Sequence, residues 1–148
     1  MKPLEYPLVR YYLDEIKNIE KHSPLAVVLF AGTLAELIMR EIDNNAKIGY
    51  SKYLKELLKR KIIDEKQYKI SNEIRNIRNR YVHINVKKML KEWDGISIVD
   101  DDGIVTFVNE IILGSKNPEN EIPRFYSIYL ENDSKKILSL LKLLINTF

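Results

Sequence analysis

Residues 23–31 have the sequence SPLAVVLFA, and this stretch predicts the central helix of a helical bundle. Ser23 is a favourable N-cap, and Pro24 suits the first helical position because its ring fixes φ there. The residues after Pro24 are apolar on every side as far as Ala31. A surface helix has one apolar stripe, whereas a helix that is apolar all round is buried. We therefore expect a central helix from Pro24 to about Asp43.

The rest of the chain predicts four further helices and a β-hairpin. Apolar residues recur at the three- and four-residue steps of amphipathic helices. They do so from about Leu4 to Lys21, in a short segment that begins at Ser51, from about Glu65 to Trp93, and from about Pro123 to Asn146. Asp64 and Gln67 have the spacing of a capping box at the start of the third of these helices. Residues 96–108 predict a hairpin around an Asp-Gly turn.

These elements predict one mainly α domain over residues 1–148, a length that suits a single domain. We expect an up-and-down helical bundle with a short β-hairpin before the C-terminal helix. The helical core is predicted over residues 1–93, the hairpin and loop over 94–122, and the C-terminal helix over 123–148.

The composition excludes several classes of protein. Hydrophobic residues make up 45% of the chain and charged residues 30%, which is the balance of a globular protein rather than a disordered one. The absence of cysteine excludes a disulfide scaffold, a thiolate nucleophile and a cysteine zinc site. The longest uncharged run, residues 22–35, is 14 residues long, and a membrane span needs about 20. We expect a cytoplasmic protein with no membrane partner, no metal and no cofactor.

The helix predicted from Glu65 to Trp93 carries two apolar stripes. One is an ordinary core face, formed by Ile70, Ile74, Ile77, Tyr81 and Ile84. The other falls on nearly the opposite side of the helical wheel and is formed by Val82, Val86, Met89, Leu90 and Trp93. Either the helix bends or rotates near Asn85, so that both stripes face the same core, or the second stripe contacts another chain. In the second case Val82, Val86 and Leu90 form a homodimer interface.

The sharpest functional signal lies in residues 73–83, EIRNIRNRYVH. Arg78-Asn79 followed by three residues and His83 resembles the signature of the HEPN superfamily. That signature is an Arg, commonly followed by a small polar residue, with a His four to six residues later. The setting is similar too, because the motif lies on a late helix of a small bundle. Residues 24–90 most resemble the HEPN proteins related to the mannitol operon repressor.

The resemblance implies a homodimeric, metal-independent RNA endonuclease of the toxin or defence kind, in which the RNA 2′-hydroxyl attacks its own phosphate. It implies that His83 is a general base or acid, that Arg78 holds the phosphate, and that Asn79 orients the histidine or the phosphate. The residue types suit these roles. An imidazole titrates near neutral pH, and a guanidinium fork fits phosphate oxygens.

Two further features bear on this site. Basic residues on the same helix predict an RNA-binding surface, with Arg75, Arg80 and Lys87 as the candidates, although such residues are often only a solvated face. Glu36 is the first charge after the uncharged run, and a carboxylate on a mostly buried helix needs a cationic partner. Either Arg75 or Arg78 supplies that partner, or Glu36 lies on an exposed edge.

Other functions stay open. The chain could be a non-catalytic HEPN-like regulator or scaffold, as the likeness to the mannitol-repressor relatives implies. It could also be an accessory subunit of a nucleotidyltransferase, and a toxin would have an antitoxin as its partner. In a non-catalytic protein, His83 would be an interface histidine and Arg78 a structural ion-pair partner.

Overall fold

The computed structural model describes residues 2–43, 48–83, 97–99, 101–107 and 118–148, and in these ranges the chain is mainly helical. The helices are a 3-10 turn (Pro3–Glu5), α1 (Pro7–Ile19), α2 (Pro24–Ile42), α3 (Tyr50–Lys59), α4 (Glu65–Val82) and α5 (Pro118–Asn146). The prediction of a mainly α class is confirmed. Of the helices described, none is long and apolar enough to cross a bilayer.

The helix α2 is central because α1, α4 and α5 all pack against it. Val28, Leu34 and Ile38 have no exposed surface. Leu25 and Phe30, however, are 39% and 38% exposed. The helix is therefore central, as expected, but the described residues leave part of its surface near the N-terminal end open to solvent.

Caps that the sequence predicts fix the starts of α2 and α4. Ser23 Oγ accepts a hydrogen bond from the Ala26 amide at 3.3 Å. Asp64 Oδ1 accepts one from the Gln67 amide at 2.7 Å, and the Gln67 side chain accepts the Asp64 amide at 2.9 Å. These bonds satisfy amides that have no partner inside the helix.

Contacts between the helices define two antiparallel pairs. In the first, the Tyr6 hydroxyl at the start of α1 donates to the Glu41 carbonyl near the end of α2 at 3.2 Å. In the second, the Gln67 amide at the start of α4 donates to the Thr147 hydroxyl beyond the end of α5 at 3.3 Å. The two pairs enclose a common core, whose fully buried side chains include Leu54, Leu57, Ile74, Ile77, Ile137, Leu141 and Leu144.

The helix α4 is shorter than the sequence predicts. It ends at Val82, and His83 is its C-cap with φ −113° and ψ 70°, outside the helical region. The prediction extended this helix to Trp93 because the apolar periodicity continues, but periodicity carries no stop signal. Val86, Leu90 and the expected bend near Asn85 lie outside the described residues.

The helix α5 begins at Pro118 rather than at Pro123, which lies inside the helix. Proline is favourable in a first helical turn, and both prolines offer that signal. The prediction that the helix starts at about Pro123 is therefore wrong by about one turn. The predicted boundary between residues 122 and 123 is therefore corrected to one between residues 117 and 118.

Two short strands lie between α4 and α5 in the chain. They are β1 (Ser97–Val99) and β2 (Val105–Phe107), which pair antiparallel with Val99 opposite Val105. Gly103, in the connection between them, has a φ of +80°. Glycine adopts this left-handed conformation without the strain that a side chain would cause.

Candidate functional site

The side chain of Arg78 leaves α4 and crosses α2 at Gly32. A β-carbon built on Gly32 would lie 2.8 Å from Arg78 Cβ and 2.7 Å from Arg78 Cγ. Carbon atoms pack at about 3.5–4.0 Å, so any larger residue at Gly32 would displace the arginine. Glycine inside a helix costs about 1 kcal/mol relative to alanine. A glycine directly after the apolar run is thus a signal in the sequence for close packing, and it was not predicted to be one.

Glu36 lies one turn after Gly32 and binds two arginines. Its Oε2 is 3.2 Å from Arg78 Nη1, and its Oε1 is 2.9 Å from Arg40 Nη2 and 3.0 Å from Arg40 Nε. Each of the three side chains is between 21% and 25% exposed. We call Glu36, Arg40 and Arg78 the Glu36 cluster. The partner role of Arg40 was not predicted, although its i,i+4 spacing from Glu36 is the spacing of a helical ion pair.

Arg75, the other candidate partner for Glu36, binds elsewhere. Its Nε and Nη2 donate to Asn72 Oδ1 at 3.2 and 3.0 Å. Asparagine carries no charge, so this contact orients the Arg75 guanidinium without neutralising it. Arg75 therefore adds a positive charge to the face of α4 that bears the motif.

Tyr50, the first residue of α3, is near enough to the Glu36 cluster for its charges to act on the hydroxyl. Burial, and after it the Glu36 carboxylate, raises the pKa of Tyr50, so the hydroxyl stays protonated at neutral pH. The Tyr50 hydroxyl and Arg78 Nε are buried, and neither has a hydrogen-bond partner in the described ranges. Buried polar groups are normally paired, because an unpaired one costs about 1–3 kcal/mol.

Asn79 and His83 lie where α4 ends. Arg78 Nη2 is 3.5 Å from Asn79 Oδ1, and the Asn79 carbonyl accepts the His83 amide at 3.0 Å. The His83 side chain is exposed, whereas Arg78 is half-buried against α2. The structure thus brings Asn79 next to both other motif residues. It leaves the imidazole in solvent and the guanidinium at the contact between two helices.

Arg80 and Tyr81 both bind Asp133 of α5. Arg80 Nη1 is 3.2 Å from Asp133 Oδ2 and 3.4 Å from Oδ1, and the Tyr81 hydroxyl donates to Oδ2. We call these three residues the Asp133 clamp. Arg80, predicted to bind RNA, is therefore already paired with a carboxylate, although its side chain is 43% exposed. Asp133 was not predicted as a site residue; its signal in the sequence is an acidic residue within the apolar face of the last helix.

Of the residues predicted to form the dimer interface or to bind RNA, four remain to be placed. Val82 is 49% exposed, whereas Val86, Leu90 and Lys87 lie outside the described residues. In the ranges that the structure covers, no three His, Asp or Glu side chains are grouped to hold a metal ion.

Comparisons with family models, with curated proteins and with solved structures find no match to this chain.

Proposed function

We propose that this chain is a HEPN-type, metal-independent RNA endonuclease that acts as a homodimer. The observation that carries the proposal is the way Arg78 is held. Glu36 binds its Nη1 at 3.2 Å, Asn79 Oδ1 lies 3.5 Å from its Nη2, and its stem rests on Gly32. A guanidinium that its neighbours already orient loses little side-chain freedom when it binds a phosphate, which favours both binding and transition-state stabilisation.

The proposed reaction uses the motif residues in distinct roles. A base removes the proton of the RNA 2′-hydroxyl, whose oxygen attacks the adjacent phosphorus. The bond from phosphorus to the 5′-oxygen breaks, and that oxygen takes a proton from an acid, which leaves a 2′,3′-cyclic phosphate and a 5′-hydroxyl. His83 is the proposed base or acid, since its exposed imidazole can reach a substrate. Arg78 is proposed to offset the charge that develops on the phosphate.

A dimer is proposed because the reaction needs both a base and an acid, and the motif supplies one histidine in each chain. Apolar side chains are exposed on the two helices that carry the site. Val82, one turn after Arg78, is 49% exposed, and Leu25, two turns before Gly32, is 39% exposed. Burying such side chains against a second copy would be favourable, because each removes apolar surface from water.

Of the two arginines Arg75 and Arg80, Arg75 is the better candidate for RNA binding. Among the described residues, the Arg75 guanidinium donates to the neutral amide of Asn72, and this contact leaves its charge for a phosphate. Arg80 shares a carboxylate with Tyr81 and would have to give up part of that pairing. Lys87, the third predicted contact, remains a sequence-based expectation.

Incubation of the purified protein with total RNA in EDTA tests the proposal. The wild type should cleave RNA and leave 2′,3′-cyclic phosphate ends, whereas His83→Ala and Arg78→Ala should lower the cleavage rate by about 100-fold or more. His22→Ala is the matched control, because His22 is the other histidine of the chain and is also exposed. Arg78→Lys keeps the charge but loses the fork, and it should recover only part of the rate.

The opposite results would overturn the proposal. Cleavage that survives both His83→Ala and Arg78→Ala would assign the activity to another site or to a contaminant. No cleavage of total RNA by a folded wild-type dimer would remove the catalytic role from the motif.

A non-catalytic regulator or scaffold is the second candidate, and one observation favours it. Arg78 Nη1 is bound to Glu36 within the same chain, and Arg78 Nε is buried. An arginine held in this way can join α2 to α4 without taking part in catalysis. Under this alternative, Arg78→Ala should lower the free energy of unfolding, and neither the wild type nor the variant should cleave RNA.

A further inference from the structure

We infer that Asp133 is a positioning residue through which α5 holds the end of α4 that carries His83. The inference rests on the proposed function, because it concerns the placement of the proposed base or acid. It also assigns a role to the C-terminal helix, which the resemblance to HEPN proteins does not cover.

The contacts converge on one carboxylate. Arg80 Nη1 lies 3.2 Å from Asp133 Oδ2, and the Tyr81 hydroxyl donates to the same oxygen. The Tyr81 ring also meets the Tyr126 ring of α5 edge to face, with the centroids 5.6 Å apart. Polar and aromatic contacts thus join the last turn of α4 to α5.

The position of this carboxylate is unusual. Asp133 is 7% exposed, and it lies one turn before Ile137, a core residue with no exposed surface. An ionised carboxylate that is taken out of water is unfavourable unless it is paired and hydrogen-bonded. Leucine at this position would bury more apolar area but would make no directional contact. Asp133 therefore contributes directional contacts to the end of α4 rather than buried apolar area.

The geometry of the clamp restricts rotation as well as distance. Arg80 and Tyr81 are consecutive, so their side chains leave α4 about 100° apart. A single contact would let the last turn of α4 rotate about that point. Arg80 and Tyr81 reach the Asp133 carboxylate from different directions, so together they prevent this rotation. His83 follows Tyr81 by two residues, and its amide is bonded to the Asn79 carbonyl at 3.0 Å. The Asp133 clamp thus holds the backbone next to His83, the residue whose side chain must be oriented for the proposed catalysis.

Hydrogen exchange of the His83 amide, measured by NMR, tests the positioning role without relying on activity. In Asp133→Asn and in Tyr81→Phe, this amide should exchange about tenfold faster than in the wild type, because the last turn opens locally. Amides of α3, such as that of Leu57, should exchange at the wild-type rate. Tyr81→Phe is included because it keeps the ring and removes only the hydroxyl, so it tests the inference even where Asp133→Asn fails to fold.

The matched control is Glu131→Gln. Glu131 lies two residues before Asp133 on the same helix, and its ion pair with Lys135 is largely exposed. Exchange at the His83 amide should stay within about twofold of the wild type in this variant, since exposed ion pairs contribute little.

Cleavage of RNA supplies the second readout. In Tyr81→Phe the value of kcat should fall about tenfold with KM unchanged, since the proposed base is misplaced while the phosphate contacts remain. Wild-type protein that does not cleave RNA would overturn the proposed function, and the exchange data would still decide whether α5 positions His83.

Two exchange results would overturn the inference. One is a His83 amide that exchanges within about twofold of the wild type in both Tyr81→Phe and Asp133→Asn. The other is equal acceleration of all protected amides, which would show that Asp133 only stabilises the whole domain.

Discussion

Gly32 of α2 and Arg78 of α4 are in direct contact, with the stem of the arginine lying where the side chain of any other residue would be. This contact determines where the guanidinium goes. Because the stem lies flat on α2, Nη1 reaches Glu36 one turn further along the same helix, at 3.2 Å. A backbone feature of α2, the missing side chain, thus orients the charged group of the motif on α4.

The substitution Gly32→Ala should therefore destabilise the protein. A β-carbon at this position overlaps the Arg78 stem, and overpacking of this kind costs about 1–3 kcal/mol. Alanine gains about 1 kcal/mol of helix propensity, so we expect a net loss of up to about 2 kcal/mol. Urea denaturation, with the slope held common to both proteins, measures the difference.

Gly49→Ala is the control for that experiment. A β-carbon on Gly49 meets nothing within 4 Å, and the backbone there has φ −59°, which alanine adopts freely. Its unfolding free energy should change by less than about 1 kcal/mol. A Gly32→Ala protein as stable as Gly49→Ala would mean that Arg78 moves aside without loss, and that its orientation by α2 is weak.

Local signals in the sequence predict much of the fold. Ser23-Pro24 and the pair Asp64 and Gln67 mark helix starts through bonds that span three residues, so no tertiary information is needed to find them. Helix ends are less predictable, because the apolar periodicity beyond Val82 gives no reason to stop there. Pro118 and Pro123 both suit a first helical turn, so the local sequence does not distinguish them, and the helix begins at Pro118.

The candidate site is less predictable for the same physical reason. The motif residues Arg78 and Asn79 are identified by spacing, which is local. The contacts that hold them involve Gly32 and Glu36, more than forty residues earlier in the chain, and Asp133 is more than fifty residues later than Arg80. The need of Glu36 for a cationic partner follows from the sequence, but the choice of Arg78 over Arg75 depends on how α2 packs on α4.

Two buried tyrosines should respond oppositely to loss of the hydroxyl. The Tyr50 hydroxyl has no hydrogen-bond partner in the described ranges, so Tyr50→Phe removes an unsatisfied group and should leave stability unchanged or raise it by about 1 kcal/mol. The Tyr53 hydroxyl donates to the Met39 carbonyl at 3.1 Å, so Tyr53→Phe should lower stability by about 1 kcal/mol. Thermal and urea unfolding of the pair measure the contrast. Equal losses in both variants would show that the Tyr50 hydroxyl has a partner, such as a buried water.

Alkaline pH should destabilise the folded protein. Burial is the main factor that raises the pKa values of Tyr50 and Tyr81 above the ordinary tyrosine value, and the Asp133 carboxylate contributes at Tyr81. Above about pH 10 these two tyrosines lose their protons in the unfolded chain and keep them in the folded one. The unfolded state then binds fewer protons, so the free energy of unfolding falls as pH rises, by up to about 1.4 kcal/mol per pH unit for each tyrosine.

Tyr50→Phe provides the check on this pH dependence. The variant should lose the part of the slope that Tyr50 contributes, and absorbance at the phenolate band should show one fewer tyrosine that ionises only on unfolding. A slope above pH 10 that is identical in the wild type and in Tyr50→Phe would contradict the raised pKa of Tyr50.

Removal of the Glu36 charge should lower the free energy of unfolding, because Arg40 and Arg78 then repel each other without a carboxylate between them. In Glu36→Gln, Arg40 and Arg78 keep their positions beside the amide, which has nearly the shape of the carboxylate but no negative charge. Removal of one partner from a fully buried ion pair costs about 3–5 kcal/mol. These side chains are between 21% and 25% exposed, so we expect a smaller loss of about 1–2 kcal/mol, since solvent screens the charges.

Salt dependence distinguishes repulsion between the arginines from the loss of a hydrogen bond to the Glu36 carboxylate. At 1 M NaCl the Debye length is about 3 Å, so the difference in unfolding free energy between Glu36→Gln and the wild type should shrink. Glu131→Gln, which removes the acid of an exposed ion pair, should differ from the wild type by less than about 1 kcal/mol at either salt concentration. A Glu36→Gln difference that does not change with salt would contradict the repulsion and assign the loss to a hydrogen bond that the amide cannot accept from Arg40 or Arg78.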